Sequence, residues 1–177
     1  TSIYLSILDS NGEMNVAISS MEIFKKLKPE YLKARNKKIE GAEIIIVDTN
    51  LEKEAINYIM GYNTKTKIML DTVSTKKSEK VKDIIGKFHT IKPNKIEAEL
   101  LSGIKINSDS DLDRAGKFFL EAGIKNIFIT LGSDGVYYIN DKKKGIIKNP
   151  KVTPVNVTGG GDAFVAGIAT AEFMGKD

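Results

Sequence analysis

The sequence contains no cysteine, and this absence is the first constraint on its chemistry. Without thiols the chain forms no disulfide and no thiolate-ligated metal site, which is typical of a protein from a reducing cytoplasm. The only histidine, His89, stands in a strand pattern, and we expect it to have a structural role. No apolar run approaches the ~20 residues that a membrane-spanning helix needs, so we expect a cytoplasmic protein with no membrane partner.

The chain also lacks a dominant charge, since 27 lysine and arginine residues oppose 23 aspartate and glutamate residues. Lysines cluster in residues 25–38, 76–82 and 142–144, with acidic residues between the clusters and no regular interleaving of aromatic residues. Proteins that bind single strands combine cations with stacking aromatic side chains. We therefore predict solvated lysine surfaces and no nucleic acid partner.

The most informative segment is residues 156–167, Asn-Val-Thr-Gly-Gly-Gly-Asp-Ala-Phe-Val-Ala-Gly. Its glycines, 159–161, open a helix pattern and let backbone N–H groups approach an anion, which the first turn of a helix favours. Asp162 would then be a carboxylate beside a phosphate, in the place of a base that takes a proton from a hydroxyl. From these residues alone, a glycine hinge with an acidic N-cap is equally compatible.

Apolar strand patterns alternate with helix patterns from Ile44 onward. Strands are predicted over 44–47, 67–70, 88–91, 127–130, 136–139 and 146–147, and helices over 51–60, 76–86, 94–101 and from Ser110 to Gly123. Such alternation predicts an α/β fold, with a mostly parallel sheet covered by helices on both faces. Residues 1–20 predict a β-hairpin around Ser10–Gly12, and residues 21–177 the α/β core; an edge hairpin of the main sheet is the alternative.

Polar clusters follow several of the predicted strands, at Asp71, 92–94, 130–135 and 158–162. Ligands of open α/β sheets bind beyond the carboxyl ends of the strands. The sequence therefore predicts one site at that edge.

These segments resemble the ribokinase-like (PfkB) family of sugar and nucleoside kinases. Residues 156–164 are similar to the family signature Asp-Thr-Thr-Gly-Ala-Gly-Asp-Ala-Phe. Residues 94–97 are similar to its Asn-x-x-Glu, and residues 130–135 to its nucleotide-binding strand end and turn. The resemblance runs along the whole chain and implies the ribokinase-like fold, in which residues 1–20 belong to a small β lid.

The resemblance implies a role for each matching residue. Asp162 is expected to be the general base, with an anion hole formed by Gly159, Gly160 and Gly161. ATP is expected to contact Asn94, Thr130, Gly132, Ser133, Gly135 and Gly161, and Glu97 to support Mg²⁺ through water. From the residues alone, Asn94 with Glu97 also fits a helix capping box, and 133–135 a plain β-turn.

Residues 156–159 depart from the family pattern at their first position. Asn156 stands where the family usually has an Asp that, with the Thr matching Thr158, holds a monovalent cation. Asn keeps a carbonyl oxygen but lacks the charge, so a K⁺ site at Asn156 and Thr158 is a doubtful assignment. Gly160 replaces the common Ala, which only loosens the loop.

Residues 1–9 with 21–24, residues 71–76 and residues 156–159 resemble the pseudouridine kinases within the family. The implied reaction is ATP-dependent phosphorylation of the 5′-hydroxyl of pseudouridine. The alternatives are a ribokinase- or fructokinase-type sugar kinase and a non-catalytic nucleotide-binding fragment. A homodimer that forms through the lid is also expected.

Family members are usually much longer, with a substrate-binding half before the matched region. This sequence begins at Thr1 without methionine and ends in or just after a helix pattern. We therefore expect a fragment, which by itself associates and phosphorylates no sugar or nucleoside at a useful rate.

Overall fold

A computed structural model describes residues 2–9, 14–62, 65–151 and 158–176. Its strands form two sheets, a two-stranded one (β1-β2) and a six-stranded one in the order β3-β4-β5-β6-β7-β8. The strands are β1 (Ile3–Leu8), β2 (Met14–Ser20), β3 (Ile44–Asp48), β4 (Lys67–Asp71), β5 (Thr90–Lys92), β6 (Asn126–Thr130), β7 (Val136–Ile139) and β8 (Lys144–Ile147).

Helices connect and cover the strands of the larger sheet. The α-helices are α1 (Pro29–Lys33), α2 (Asn36–Glu40), α3 (Lys53–Tyr62), α4 (Thr75–Ser78), α5 (Lys95–Ser102), α6 (Asp109–Glu121) and α7 (Gly160–Phe173). Short 3₁₀ helices span Glu22–Lys26, Glu79–Lys87 and Gly132–Asp134. None of the helices described is long and apolar enough to cross a membrane.

The larger sheet is parallel from β3 to β6 and antiparallel from β6 to β8. Because β3 to β6 are adjacent in chain order, right-handed crossovers put α3 to α6 on one face. The opposite face carries α7, whose Phe164 ring meets the Phe128 ring of β6 edge to face at 6.0 Å. The predicted α/β fold, mostly parallel and covered on both faces, is therefore confirmed.

The core lies between the sheet and the α3–α6 layer. Its fully buried side chains include Ile56 of α3, Phe119 of α6 and Ile127 of β6. In α6 the side chains of Leu112, Ala115 and Phe119 share one face of the helix, and all three are buried. The apolar pattern of the sequence, in this helix face and in the β-branched strands, is therefore enough to identify the core.

Two helix predictions need correction. The N-cap of α6 is Ser108, not Ser110; Ser108 has the extended backbone of a cap, and its side chain accepts from the Asp111 N–H. The helix predicted over 76–86 is α4 followed by a 3₁₀ helix. The Ser78 hydroxyl donates to the Thr75 carbonyl at 2.8 Å, a local bond that competes with regular α-helical bonding.

The β1–β2 hairpin forms a sheet of its own, so the alternative of an edge hairpin of the main sheet is wrong. The predicted turn around Ser10–Gly12 lies outside the described residues. Apolar side chains project from the hairpin into solvent, among them Leu5 and Ile18, which are 57% and 65% exposed. The division into a lid over 1–20 and a core over 21–177 stays a prediction.

Candidate functional site

The carboxyl ends of β4, β5 and β6 meet at one edge of the sheet. Side chains alternate between the faces of a strand, so Asp71, Lys92 and Thr130 point to the face that carries α7. The Lys92 ammonium lies 3.4 Å from Oδ1 of Asp71, and these two side chains are only 10% and 12% exposed. A nearly buried ion pair thus stands at the edge where the sequence predicts a site.

Asn94 and Glu97 form the N-terminus of α5. The Asn94 side chain accepts from the Glu97 N–H at 2.9 Å, and Oε2 of Glu97 accepts from the Asn94 N–H at 2.9 Å. The capping box suggested by the residues alone is therefore present. Nδ2 of Asn94 donates to none of the described residues, and the side chain is exposed, so this amide is free to meet a ligand.

Glu97 has a further buried partner that sequence reasoning did not identify. Thr72, directly after β4, donates its hydroxyl to Oε2 of Glu97. Both residues are buried, Thr72 completely and Glu97 to 3% exposure. The carboxylate is therefore held in one orientation, from its own helix and from the neighbouring strand end.

The N-terminus of α7 is an open glycine turn. Gly159 caps the helix with a φ of +82°, a backbone conformation that favours glycine. A Cβ at Gly159 or Gly160 would meet nothing within 4 Å, so a ligand can approach this backbone closely. The first N–H groups of the helix have no intrahelical acceptor and carry partial positive charge.

Asp162 lies in the first turn of α7 and is exposed. No described residue forms a hydrogen bond or ion pair with its carboxylate. An exposed carboxylate beside unpaired backbone N–H groups is the type of group that can take a proton next to a bound anion.

Lys92, the cation of the ion pair at the sheet edge, lies beside this glycine turn. A Cβ built on Gly161 would stand 3.3 Å from Nζ of Lys92. The structure therefore brings together a glycine of the predicted anion hole and a buried cation to which sequence reasoning assigned no role. The available signal was the polar run 92–94 after a buried strand, together with Asp71 after the preceding strand.

The segment 130–135 joins the same edge through its backbone. Thr130 bridges to Asn94, and its N–H donates to the Pro93 carbonyl at 2.9 Å. Gly132 and Gly135 have φ values of +63° and +105°, and a Cβ at Gly135 would stand 2.0 Å from the Ile147 carbonyl oxygen. The plain turn suggested by the residues is thus present, and Gly135 is required there for packing against β8.

A cleft of about 630 Å³ opens beside this turn, between the N-termini of α5 and α6 and the chain after β8. Its lining includes Ser133 of the predicted nucleotide site and the lysines Lys95, Lys148 and Lys151. Asn94 immediately precedes Lys95. The volume lies in the usual range for small-molecule sites, and the lysines suit an anionic ligand.

The predicted cation and metal residues are only partly described. Asn156 lies outside the described residues, and Thr158 is exposed before the glycine turn. In the described part of the chain no three acidic or histidine side chains cluster as a metal site would. One buried carboxylate, Glu97, fits Mg²⁺ only if water and phosphate supply the other ligands, which is how Mg²⁺ is commonly held.

The other end of α7 is attached to the amino ends of the strands through Glu172. Its carboxylate lies 3.0 Å from Nδ1 of His89 and accepts from Nδ2 of Asn126 at 3.2 Å. Burial would raise the pKa of the Glu172 carboxyl, but the hydrogen bond and charge of His89, with Lys67 nearby, hold that pKa below its usual value. The structural role expected of His89 fits this contact.

Comparisons with known proteins agree with this fold. A model of the pfkB family of carbohydrate kinases matches residues 1–177. The chain is 39% identical over 171 residues to the pseudouridine kinase of Escherichia coli strain K12, a match that covers 96% of this chain and 55% of that protein.

Solved structures give the same result. A candidate sugar kinase from Clostridium perfringens superposes with a TM-score of 0.85 at 39% identity, over 98% of this chain and 55% of that one. Ribokinase from Thermotoga maritima superposes with a TM-score of 0.84 over all of this chain and 58% of that one; at 23% identity this likeness shows the fold alone. The chain spans about half the length of these relatives.

Proposed function

This chain belongs to the pfkB family of carbohydrate kinases, and we propose that it supplies the nucleotide-binding and phosphoryl-transfer part of an ATP-dependent kinase. One observation carries the proposal. The open glycine turn at the start of α7, with the exposed carboxylate of Asp162, lies against the ammonium of Lys92 at the sheet edge. Backbone donors, a cation and a free carboxylate are the groups that phosphoryl transfer to a hydroxyl uses.

In this proposal Asp162 takes the proton of the acceptor hydroxyl as its oxygen attacks the γ-phosphorus. The N–H groups of the turn formed by Gly159, Gly160 and Gly161 stabilise the charge on the phosphoryl group in transfer. These N–H groups need little reorientation during the reaction, because the backbone of α7 already orients them.

The nucleotide is proposed to lie along the cleft. Ser133 and Lys95 line it, while Asn94, Thr130, Gly132 and Gly135 belong to the strand ends and turn beside it. Mg²⁺ bound with ATP would neutralise phosphate charge, and Glu97 is the carboxylate here that would hold its water ligands. A K⁺ site at Thr158 and Asn156 is not part of the proposal.

The proposed acceptor is the 5′-hydroxyl of pseudouridine. The support is the identity to the pseudouridine kinase over nearly the whole chain, together with the resemblance in residues 71–76. A ribokinase- or fructokinase-type sugar kinase is the second candidate, since the family model that matches the whole chain is one of carbohydrate kinases.

An acceptor comparison with the complete gene product tests this proposal. ADP release would be measured with ATP and Mg²⁺ against pseudouridine, uridine, adenosine, ribose and fructose. We expect the highest kcat/KM with pseudouridine. A higher kcat/KM with a sugar would contradict pseudouridine as the acceptor but leave the kinase assignment intact. Nucleotide binding without turnover on any acceptor would instead support a non-catalytic module.

We also propose a cytoplasmic enzyme that pairs with a second copy through the β1–β2 hairpin. Within the described ranges β1 and β2 pair only with each other, and apolar side chains such as Ile7 and Ile18 lie in solvent, which favours strand pairing. Sedimentation of the complete gene product should show a dimer, and Ile18→Lys should shift it toward the monomer. A monomeric wild type would contradict the pairing.

A further inference from the structure

We propose that Lys92 is a catalytic residue that binds the phosphoryl group in transfer. This inference rests on the proposed kinase function and names a residue that neither the family signature nor the comparisons point to. Three observations carry it: the burial of the ammonium, its place against the glycine turn, and the way in which Asp71 is fixed.

The Lys92 side chain is only 10% exposed, and an ammonium removed from water is unfavourable unless it is well paired. Among the described residues, Asp71 is the one carboxylate within 4 Å, and its oxygen lies 3.4 Å away. A charge-assisted hydrogen bond is shorter, about 2.7–2.9 Å. The pairing is therefore loose, and the ammonium keeps donors for a second anion.

The position of the ammonium identifies that anion. Nζ of Lys92 lies against Gly161, in the first turn of α7, where unpaired N–H groups give partial positive charge. Two positive groups that face each other repel. An anion bound between them would remove the repulsion, and a phosphoryl group fits because the turn is open at Gly159 and Gly160.

Asp71 is fixed so that it can hold Lys92 in this position. Its Oδ1 also accepts from the Val73 N–H at 3.1 Å. Val73 has a φ of +58°, an outlier for a β-branched residue, and such strain of order 1–3 kcal/mol tends to concentrate at functional sites. The strained turn directs a backbone donor at Asp71, which makes Asp71 a positioning residue for Lys92.

Phosphoryl transfer from ATP to the acceptor hydroxyl requires no proton from Lys92. The acceptor oxygen forms a bond to the γ-phosphorus, the bond from that phosphorus to the ADP oxygen breaks, and the hydroxyl proton goes to Asp162. Lys92 keeps its protons and offsets the negative charge of the phosphoryl oxygens throughout. Its contribution is thus electrostatic.

Lys92→Met in the complete gene product tests the role, because Met approximates the shape without the charge. We expect kcat to fall about 10²–10³-fold, the loss typical of one stabilising donor, with little change in the KM for the acceptor. Lys125→Met, at an exposed lysine directly before β6, is the matched control and should keep wild-type kcat. If the wild type is active and Lys92→Met has the same kcat, the catalytic role of Lys92 is overturned, while the kinase proposal stays intact.

Chemical rescue separates charge from packing. These 177 residues contain no cysteine, so Lys92→Cys adds the only thiol in this part of the protein. Alkylation with 2-bromoethylamine, applied equally to the wild type, restores an ammonium at nearly the lysine length. Recovery of at least 10-fold in kcat supports the role; no recovery in a folded, fully alkylated protein overturns it.

Nucleotide affinity tests the role of Lys92 independently of turnover. Lys92→Met should weaken affinity for the ATP analogue AMP-PNP at least 10-fold more than affinity for ADP, because only AMP-PNP places a γ-phosphoryl group at the turn. Equal losses for the two nucleotides would overturn the assignment. A wild type without turnover on any acceptor would refute the kinase proposal, while this comparison would still test Lys92.

Discussion

The hydroxyl of Thr72 donates to Oε2 of Glu97, and the two side chains are buried together between the end of β4 and the start of α5. The same oxygen accepts the Asn94 N–H, so two donors from different strand ends hold one carboxylate oxygen. Oε1 accepts from none of the described residues. In the proposed kinase it is the oxygen that would hold a metal-bound water.

Thr72→Val should impair this arrangement. The variant keeps the shape but removes the donor, and an unsatisfied buried group is unfavourable by about 1–3 kcal/mol. We expect the Mg²⁺ concentration for half-maximal activity to rise several-fold, with a lower Tm. Thr72→Ser, which keeps the hydroxyl, should restore the Mg²⁺ dependence. Equal Mg²⁺ dependence in Thr72→Val and the wild type would show that Thr72 is only structural.

Asp162→Asn should abolish most of the activity while nucleotide binding persists. Loss of a general base typically lowers the rate ~10²–10⁴-fold. Because Asp162 is exposed and its carboxylate forms no hydrogen bond or ion pair with a described residue, the substitution should leave the Tm nearly unchanged. Single-turnover assays together with AMP-PNP titration measure both effects. Turnover at the wild-type rate would remove Asp162 from the mechanism.

Gly161→Val should impair the use of ATP with modest loss of stability. A Cβ there would stand 3.3 Å from the Lys92 ammonium, and the branched side chain would occupy the space where backbone meets phosphate. Backbone strain is not the reason, since the positive φ of this turn belongs to Gly159. Gly167→Val, in the same helix but with open space around it, is the control. Equal kcat/KM for ATP in the two variants would favour a plain hinge.

Glu172→Gln should lower the Tm of the complete gene product by a few degrees at pH 7. The pKa of Glu172 is lower in the folded state, so its ionised form stabilises the fold above the ordinary value of 4.5. That stabilisation is lost as the pH falls through the folded pKa. The Tm difference should therefore shrink on acidification below about pH 4.5. Glu121→Gln, an exposed carboxyl at the end of α6, should show little difference at either pH, and a Glu172→Gln difference that grows on acidification would contradict the assignment.

Local features of the site could be predicted because neighbouring residues produce them. The capping box of Asn94 and Glu97 needs only four consecutive residues, and the glycine turn before Asp162 needs only the backbone freedom of glycine. The sequence pattern places the start of α6 at Ser110, two residues after its actual cap, because Ser108 and Ser110 are chemically the same. Only the backbone conformation distinguishes them.

The sequence by itself determined the alternation of strands and helices and the local features made by neighbouring residues, such as the capping box of α5 and the glycine turn before α7. Tertiary structure alone decided that Lys92 meets both Asp71 and Gly161, and that Thr72 holds Glu97. These contacts join residues that are 21, 69 and 25 positions apart, by subtraction of their numbers. Their geometry depends on strand register and on where α7 docks, and both are set by packing of the whole sheet rather than by any local pattern.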